Sequence, residues 1–209
     1  LSQRSYLKYM KKMFLIGMAM VLALMVQAQD ATKILDQSAS TLKSAGNVKI
    51  GFTLEVEGGS SDGYIKLQGQ KFVLNMGGTI TWFDGKTMWT LVKANEEVNV
   101  TTPSEEAVAK MNPYSFLSFY KKGYTASMGT GTAKAHEVGL KGNEGAPFKK
   151  VVIRVNKSTH YPTSIRMTSA KDAETYIRCN SLLKNQKYKP STFQFNKKSY
   201  PDLEVVDLR

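Results

Sequence analysis

Few side chains of this chain have the types and spacing that chemistry at a site requires. The two histidines, His136 and His160, have no Cys, Asp or Glu at a spacing typical of metal ligands. Glu137 follows His136 directly, and neighbouring side chains on a strand point to opposite faces. Cys179 is the single cysteine, so an intramolecular disulfide is excluded and we interpret it as a buried, inert thiol. The sequence therefore predicts no metal site and no cofactor.

Motifs for nucleophilic catalysis and nucleotide binding are missing from the sequence as well. There is no Gly-x-Ser-x-Gly element, and a catalytic Ser or Cys would need a base and a group that orients this base. The segment Gly129–Thr132 is rich in glycine, but it lacks the Lys-Ser/Thr ending of a phosphate-binding loop, which favours a flexible loop. We therefore expect a protein that is not an enzyme. A hydrolase with an unrecognised triad is the alternative from a different class.

The N-terminal residues have the pattern of a secretory signal peptide. Lys11 and Lys12 precede an apolar stretch over residues 13–26, which is shorter than the roughly 20 residues that a membrane-spanning helix needs. Residues 26–28, Val-Gln-Ala, put small residues at the two positions that signal peptidase prefers. We predict cleavage after Ala28, with an uncleaved membrane anchor as the alternative.

Export determines the compartment in which we expect the chain to act. We expect a periplasmic protein, with residues 1–9 upstream of a true start at Met10, a signal peptide over 1–28 and one domain over 29–209. The chain has 29 Lys and Arg against 17 Asp and Glu, a net charge of +12. Export and the lack of a basic helix argue against nucleic acid as a partner. The charge instead favours an anionic membrane surface, an acidic partner, or a basic surface without a partner.

The periodicity of apolar residues predicts a helix followed by many short strands. Helical spacing predicts a helix over residues 30–45, which Asp30 caps and Gly46 ends. Alternation then predicts a strand over 48–56, and we interpret Gly58–Gly63 as a loop. Further strands are predicted at segments 65–67, 72–76, 79–83, 87–92, 97–101, 124–128, 135–140, 148–155, 163–169 and 175–183, and a last one at Phe193 and Phe195.

Two local signals complete the fold prediction. The segment Asp84-Gly85-Lys86 between two strand-like runs indicates a hairpin. Thr102–Glu105 has the spacing of a capping box with proline at the first helical position, and a second short helix is predicted over 114–120. We predict one mainly β domain with some helix, in which a sheet of about ten or eleven antiparallel strands curls around its own apolar face. An N-terminal helix and an aromatic helical insert accompany the sheet.

A hairpin, the strand after it and the end of the chain share their pattern with a known family. Residues 81–89 read Thr-Trp-Phe-Asp-Gly-Lys-Thr-Met-Trp and precede the strand 97–100. The segments 193–196 and 203–207 match the last strand and tail of that family, and 63–67 matches an early strand that begins with glycine. In these segments and in the order of its elements over 29–209, the chain resembles the LolA-like periplasmic carriers of outer-membrane lipoproteins.

The resemblance implies an unclosed antiparallel barrel with a lid of short helices at residues 103–120. It implies a periplasmic carrier that holds the acyl chains of lipoproteins in an apolar cavity and moves them from the inner to the outer membrane. The implied partners are acylated lipoproteins, an inner-membrane lipoprotein-releasing transporter and an outer-membrane acceptor, and we expect a monomer that binds no nucleic acid.

The chain departs from the resemblance at one position. The family has an arginine-proline pair after the early strand, and its arginine ties the lid down, whereas Gly69 and Gln70 stand here. Lid closure through that arginine is therefore not expected. The alternative function is a periplasmic binding or sensor module of the same fold, which holds a free lipid or another apolar ligand.

The candidate acyl-binding residues are apolar side chains that we expect to line the concave face and the lid. They are Phe52, Leu54, Ile65, Leu67, Phe72, Leu74, Trp82, Trp89, Phe116 and Leu117. Alternation assigns Phe52 and Leu54 to one face, but Phe83 and Met88 leave both faces of their strands apolar beside the two tryptophans. Ordinary core packing is the alternative interpretation for each of these residues.

Overall fold

A computed structural model describes residues 28–105, 107–108 and 119–209 of the chain. Helix α1 covers residues 28–44. The strands in the described residues are β1 Val48–Val56, β2 Gly59–Gln68, β3 Lys71–Met76, β4 Thr79–Phe83, β5 Met88–Val92, β6 Glu97–Thr101, β7 Tyr124–Met128, β8 Ala135–Gly142, β9 Phe148–Asn156, β10 Pro162–Ser169, β11 Glu174–Leu183 and β12 Glu204–Asp207. Short 3-10 turns lie at Lys93–Asn95, Phe119–Lys121, Pro190–Phe193 and Lys197–Ser199.

Helix α1 forms where the sequence predicts it, because small and apolar residues recur every three or four positions on one face. The buried residues of that face are Ala31, Leu35, Ser38, Leu42 and Ala45. Gly46 follows the helix with φ of +71°, as expected for a glycine that ends a helix. The prediction that Asp30 caps the helix is wrong, because residues 28 and 29 are already helical.

All of these strands belong to one unclosed sheet made of two antiparallel meanders. The order is β12-β6-β5-β4-β3-β2-β1-β11-β10-β9-β8-β7, so that β12 and β7 are the two edges. Strands β1–β6 form the first meander and β7–β11 the second, and the pairing of β1 with β11 joins them. The predicted mainly β, curled-sheet architecture with an N-terminal helix is confirmed, with twelve strands in place of ten or eleven.

The C-terminal segment differs from the prediction. The strand predicted at Phe193 and Phe195 is wrong, because Phe193 ends a 3-10 turn and Phe195 is in irregular structure. The segment interpreted as part of the tail, Glu204–Asp207, instead forms β12, which pairs with β6 in parallel. Phe193 is fully buried, so the aromatic side chains of this segment are used for packing against the sheet and not for strand alternation.

The first hairpin is longer and tighter than the sequence suggests. The predicted loop at Gly58–Gly63 is wrong: β2 begins at Gly59, directly opposite Val56. Polar residues here extend the ladder, and the Thr53 hydroxyl donates to Asp62 Oδ1 across it at 2.6 Å. Gly63 is required by a close approach, since a Cβ there would lie 2.9 Å from the Phe52 ring.

Two faces of the sheet are covered by different parts of the chain. We call the face that packs against α1 the inner face, and the opposite one the outer face. The C-terminal half of α1 packs on β1–β3 through Leu42 and Ala45, and its N-terminal half packs on β8–β10 through Ala31 and Leu35. On the outer face, the C-terminal segment covers β3–β6 with a cluster that includes Tyr188, Phe193, Phe195, Tyr200 and Leu203.

Most of the predicted helical insert lies outside the described residues. Its beginning is described, and the Ser104 hydroxyl accepts a hydrogen bond from the Ala107 N–H at 3.2 Å, as an N-cap does. The prediction of Thr102 as the cap is therefore wrong by two residues, because Ser104 is itself a good cap and lies after Pro103. No helix in the described part of the chain is long and apolar enough to cross a membrane.

Candidate functional site

The inner face has a densely packed zone beneath the C-terminal half of α1. The register places Val48, Leu67 and Phe72 side by side on β1, β2 and β3. All three are fully buried, and Ile65 and Phe52 keep only 2% and 9% of their surface exposed. This zone is filled with the protein's own side chains, so a ligand must either displace them or bind elsewhere.

A second zone of the same face lies toward the other end of these strands and is half-buried. We call it the rim cluster, and its residues are Leu54, Leu74, Met76 and Ile177. Leu54 pairs directly with Ile177 across the β1–β11 ladder, and Leu74 pairs with the buried Ile65. Met76 lies opposite Gly63, whose missing side chain is replaced by the Phe52 ring. The rim cluster therefore continues the apolar core outward to solvent.

The two tryptophans do not lie with the other candidates. Trp82 pairs with Val73 and Trp89 on the outer face, where its ring contacts Phe195 and Tyr200 with centroid distances of 5.7 and 6.0 Å. The expectation that Trp82 and Trp89 share the concave face with Phe52 is wrong. Their sequence neighbours take that place instead: Phe83 and Met88 pack in the inner cluster, with the Phe72 and Phe83 rings 5.4 Å apart. In the sequence, the aromatic residues of the C-terminal segment were the signal that the tryptophans have a packing partner on the outer face.

The structure brings the remaining described candidates together on the inner face. Six of them share one cluster: Phe52, Leu54, Ile65, Leu67, Phe72 and Leu74. Phe116 and Leu117 lie outside the described residues. Gly69 and Gln70 form the exposed turn between β2 and β3, where Gly69 has φ of +58°. Contact of any of these residues with an acyl chain stays a prediction.

A polar contact that the sequence did not indicate fastens residues 119–121 to helix α1. The Tyr120 hydroxyl donates to Asp36 Oδ1 at 2.6 Å, and Lys121 Nζ lies 2.8 Å from the same oxygen. The hydrogen bonds from Lys121 and Tyr120 lower the pKa of Asp36. Burial and the Asp36 carboxylate raise the pKa of Tyr120, whose side chain is 4% exposed. The contact therefore holds a neutral phenol against an ionised carboxylate at neutral pH.

The potentially reactive side chains, which are the cysteine and the two histidines, lie apart from one another. Cys179 pairs with Phe52 across the β1–β11 ladder, and burial raises the pKa of its thiol to about 11, so the thiol is protonated at neutral pH. His160 Nε2 lies 3.2 Å from the Gln37 amide nitrogen, and His136 is on β8. Within residues 28–105, 107–108 and 119–209, no three His, Cys, Asp or Glu side chains are placed to hold a metal ion.

A cleft of about 500 Å³ opens on the outer side between Trp82 and the C-terminal segment. Its aromatic wall is formed by Trp82, Phe195 and Tyr200. The rest of its lining is polar, namely Ser191, Thr192, Gln194, Asn196, Lys197 and Ser199. A polar lining of this kind does not suit an alkyl chain, because its hydroxyl and amide groups would lose water without gaining partners. The rim cluster of the inner face is, by contrast, made of apolar side chains.

The fold is an unclosed curled sheet with one helix packed against its apolar inner face. The sequence profile of the family described as outer membrane lipoprotein carrier protein LolA matches residues 22–171. The chain therefore belongs to the LolA-like family, whose members are periplasmic or secreted carrier or binding proteins for lipoproteins or lipids.

Solved structures that are similar to this chain share little sequence with it. An uncharacterized conserved protein from Thermus thermophilus is similar with a TM-score of 0.57 and 11% identity, over 85% of this chain and 99% of that one. A LolA superfamily protein from Nitrosomonas europaea has a TM-score of 0.41 and 10% identity, over 81% and 98%. The lipoprotein LppX from Mycobacterium tuberculosis has a TM-score of 0.47 and 10% identity, over 77% of this chain and 98% of that one. No curated protein sequence matches the chain.

Proposed function

We propose that this protein is a periplasmic carrier that binds the acyl chains of lipoproteins on its inner face and moves them from the inner to the outer membrane. The observation that carries the proposal is the rim cluster, an apolar surface that is partly exposed and continuous with the buried core. Leu54, Leu74, Met76 and Ile177 offer a start for a chain that then follows the inner face. Membership of the LolA-like family supports the same assignment.

The energetics of acyl transfer explain why such a surface suits the task. Each buried methylene contributes about 0.8 kcal/mol, so that one ~16-carbon chain resists leaving a membrane by roughly 12 kcal/mol. A carrier must offer a comparable apolar surface and still release its cargo. The partly exposed rim cluster provides the entry surface, and the fully buried Leu67 and Phe72 mark the zone where a longer chain must displace side chains.

The proposed partners follow from this cycle. An inner-membrane lipoprotein-releasing transporter supplies the acylated cargo, and an outer-membrane acceptor removes it. A second candidate is a module of the same fold that holds or senses a free lipid without a transfer cycle. The glycine at position 69, where the resemblance expects an arginine that ties down the lid, favours this alternative.

Analysis of the cargo separates these functions. The protein should be taken from the periplasm of its own cell and examined by native mass spectrometry, with lipid extraction of a parallel sample. An acylated protein or peptide as the bound species supports the carrier. A free lipid supports the second candidate. A protein without bound lipid that also binds no fluorescent fatty acid contradicts both.

A further inference from the structure

The outer face of β1, β2 and β8–β11 carries a set of cations that we call the basic patch. Because directly paired residues of neighbouring strands share a face, the register decides which side chains belong to it. Lys49 pairs with Lys66, and Lys141 pairs with Lys150, all at outward positions. With the arginines of the neighbouring strands, the basic patch consists of Lys49, Lys66, Lys141, Lys150, Arg154, Arg166 and Arg178.

The acidic residues of this face neutralise the arginines and not the lysines. Three ion pairs join Arg178 to Glu55 at 2.6 Å, Arg154 to Glu137 at 3.0 Å and Arg166 to Glu174 at 3.3 Å. The remaining acid of the face, Asp62, accepts a hydrogen bond from Thr53. In the described part of the chain, the lysines of the basic patch form no ion pair, so the excess of positive charge is concentrated on them.

Two tyrosines hold cations of the basic patch along the surface. Lys49 Nζ on β1 lies 4.7 Å from the ring centre of Tyr64, and Lys66 Nζ, on the same strand as Tyr64, lies 5.6 Å from it. The Tyr176 ring lies 5.0 Å from the Arg166 guanidinium and 5.7 Å from that of Arg178. Such cation–π contacts favour cations that spread over the sheet. Tyrosine itself suits a boundary between an apolar and a wet phase.

This part of the outer face is uncovered among the described residues. Helix α1 lies on the inner face, and the C-terminal segment packs on the outer face of β3–β6 and reaches β1 through one hydrogen bond, from the Tyr188 hydroxyl to the Val48 carbonyl. Lys150, Arg154, Arg166 and Arg178 are exposed accordingly. Leu183 pairs with Lys49 on this face and is 51% exposed, so one large apolar side chain lies beside the cations at this end of the patch.

We propose that the basic patch binds the phosphate groups of an anionic phospholipid membrane. The inference rests on the proposed function, in which the carrier works close to the surfaces of two membranes. Charge complementarity supports a lipid surface: the lysines of the basic patch lie on β1, β2, β8 and β9, on both sides of the strands β10 and β11, and match an extended array of phosphates. Attraction through the outer face leaves the inner face and its rim cluster free for cargo.

Vesicle binding tests the inference with two variants of equal charge. In the patch variant, Lys49, Lys66, Lys141 and Lys150 are changed to Gln. In the matched control, four exposed lysines of turns and connections are changed to Gln, namely Lys86, Lys93, Lys134 and Lys157. The exported protein is mixed with vesicles of zwitterionic lipid, with or without phosphatidylglycerol, and bound protein is separated by flotation.

We expect wild type to bind the phosphatidylglycerol vesicles only, and more weakly as salt is added. Each basic residue near an anionic surface contributes a factor of about five, so the patch variant should bind at least about tenfold more weakly. The control should stay within about threefold of wild type. Equal loss in both variants contradicts the inference, since net charge alone would then explain binding. The inference is also overturned if wild type does not bind the phosphatidylglycerol vesicles, even if an acidic protein captures it.

Binding of a fluorescent fatty acid by the same samples keeps this inference separate from the proposed function. The patch variant should bind the fatty acid as wild type does. A wild type that binds vesicles but no fatty acid retains the basic patch and refutes the carrier. A wild type that binds fatty acid but no vesicles retains the carrier and refutes the inference about the basic patch.

Discussion

A matched pair of substitutions on the inner face tests whether the rim cluster is a binding surface. Leu67→Glu places a carboxylate in the fully buried zone, and Leu54→Glu places one at the half-buried rim. Replacing Leu67 loses about 2 kcal/mol of apolar burial, and an unpaired buried carboxylate adds several more. At Leu54 the carboxylate reaches water, so we expect a loss of only about 1 kcal/mol.

The two variants should therefore differ in melting temperature. For a domain of this size, 1 kcal/mol corresponds to about 2–4 °C, so Leu54→Glu should melt a few degrees below wild type. Leu67→Glu, at a cost on the order of 4 kcal/mol or more, should melt at least about 8 °C lower or fail to fold. Gln68→Glu introduces the same charge on the outer face next to Leu67, and should melt as wild type does.

The decisive measurement is displacement of a fluorescent fatty acid from folded Leu54→Glu. A charge at the entry surface should weaken binding at least about tenfold, which corresponds to about 1.4 kcal/mol. Gln68→Glu should bind normally. If Leu54→Glu is folded and binds as wild type does, the rim cluster is not the site. If Leu67→Glu melts as wild type does, the inner face is hollow and our account of its packing is wrong.

Four further predictions follow from single features. Ser38→Ala should raise the free energy of unfolding by about 1 kcal/mol, because the fully buried Ser38 hydroxyl has no hydrogen-bond partner among the described residues; a lower melting temperature contradicts this. Tyr120→Phe should cost about 1 kcal/mol at neutral pH after solvent screening. Since the folded-state pKa of Asp36 is lowered, its contacts stabilise above the ordinary value of 3.8 and are lost on acidification, so denaturant unfolding of the two proteins should converge at acid pH. N-terminal sequencing of exported protein should find Gln29 first, and a membrane-bound product with residues 14–26 refutes this. Complementation of a deletion strain should survive simultaneous replacement of the two histidines and the cysteine, and loss of function in a folded variant points to chemistry at His136, His160 or Cys179.

The sequence was sufficient to predict elements whose pattern repeats over several residues. Strand β1 alternates strictly, so its bounds and the shared face of Phe52 and Leu54 could be predicted. The spacing of Leu35 and Leu42, which are seven positions or two helical turns apart, similarly predicted α1, and the turn at Asp84 predicted the hairpin of β4 and β5. These features depend on local periodicity and turn chemistry, which a single sequence contains.

Features that depend on distant partners could not be predicted in the same way. The tryptophans of β4 and β5 lie between apolar neighbours on both sides, and only the C-terminal aromatic cover decides which face they take. Strand β12 forms because β6 offers an open edge, not because its own residues alternate. The contact of Tyr120 with Asp36 joins residues 84 positions apart, and nothing in either local sequence indicates it.

The seam between the two meanders has a consequence for how the chain folds. Strands within each meander are close in sequence and can pair early, whereas the β1–β11 ladder joins residues such as Glu55 and Arg178, which are 123 positions apart. Closing so large a loop reduces the entropy of the chain before the contacts of the ladder can compensate with favourable free energy. The seam should therefore form last and limit the folding rate. Until it forms, β1 and β11 both present open edges, so the newly exported chain is most exposed to mispairing with other chains at this stage.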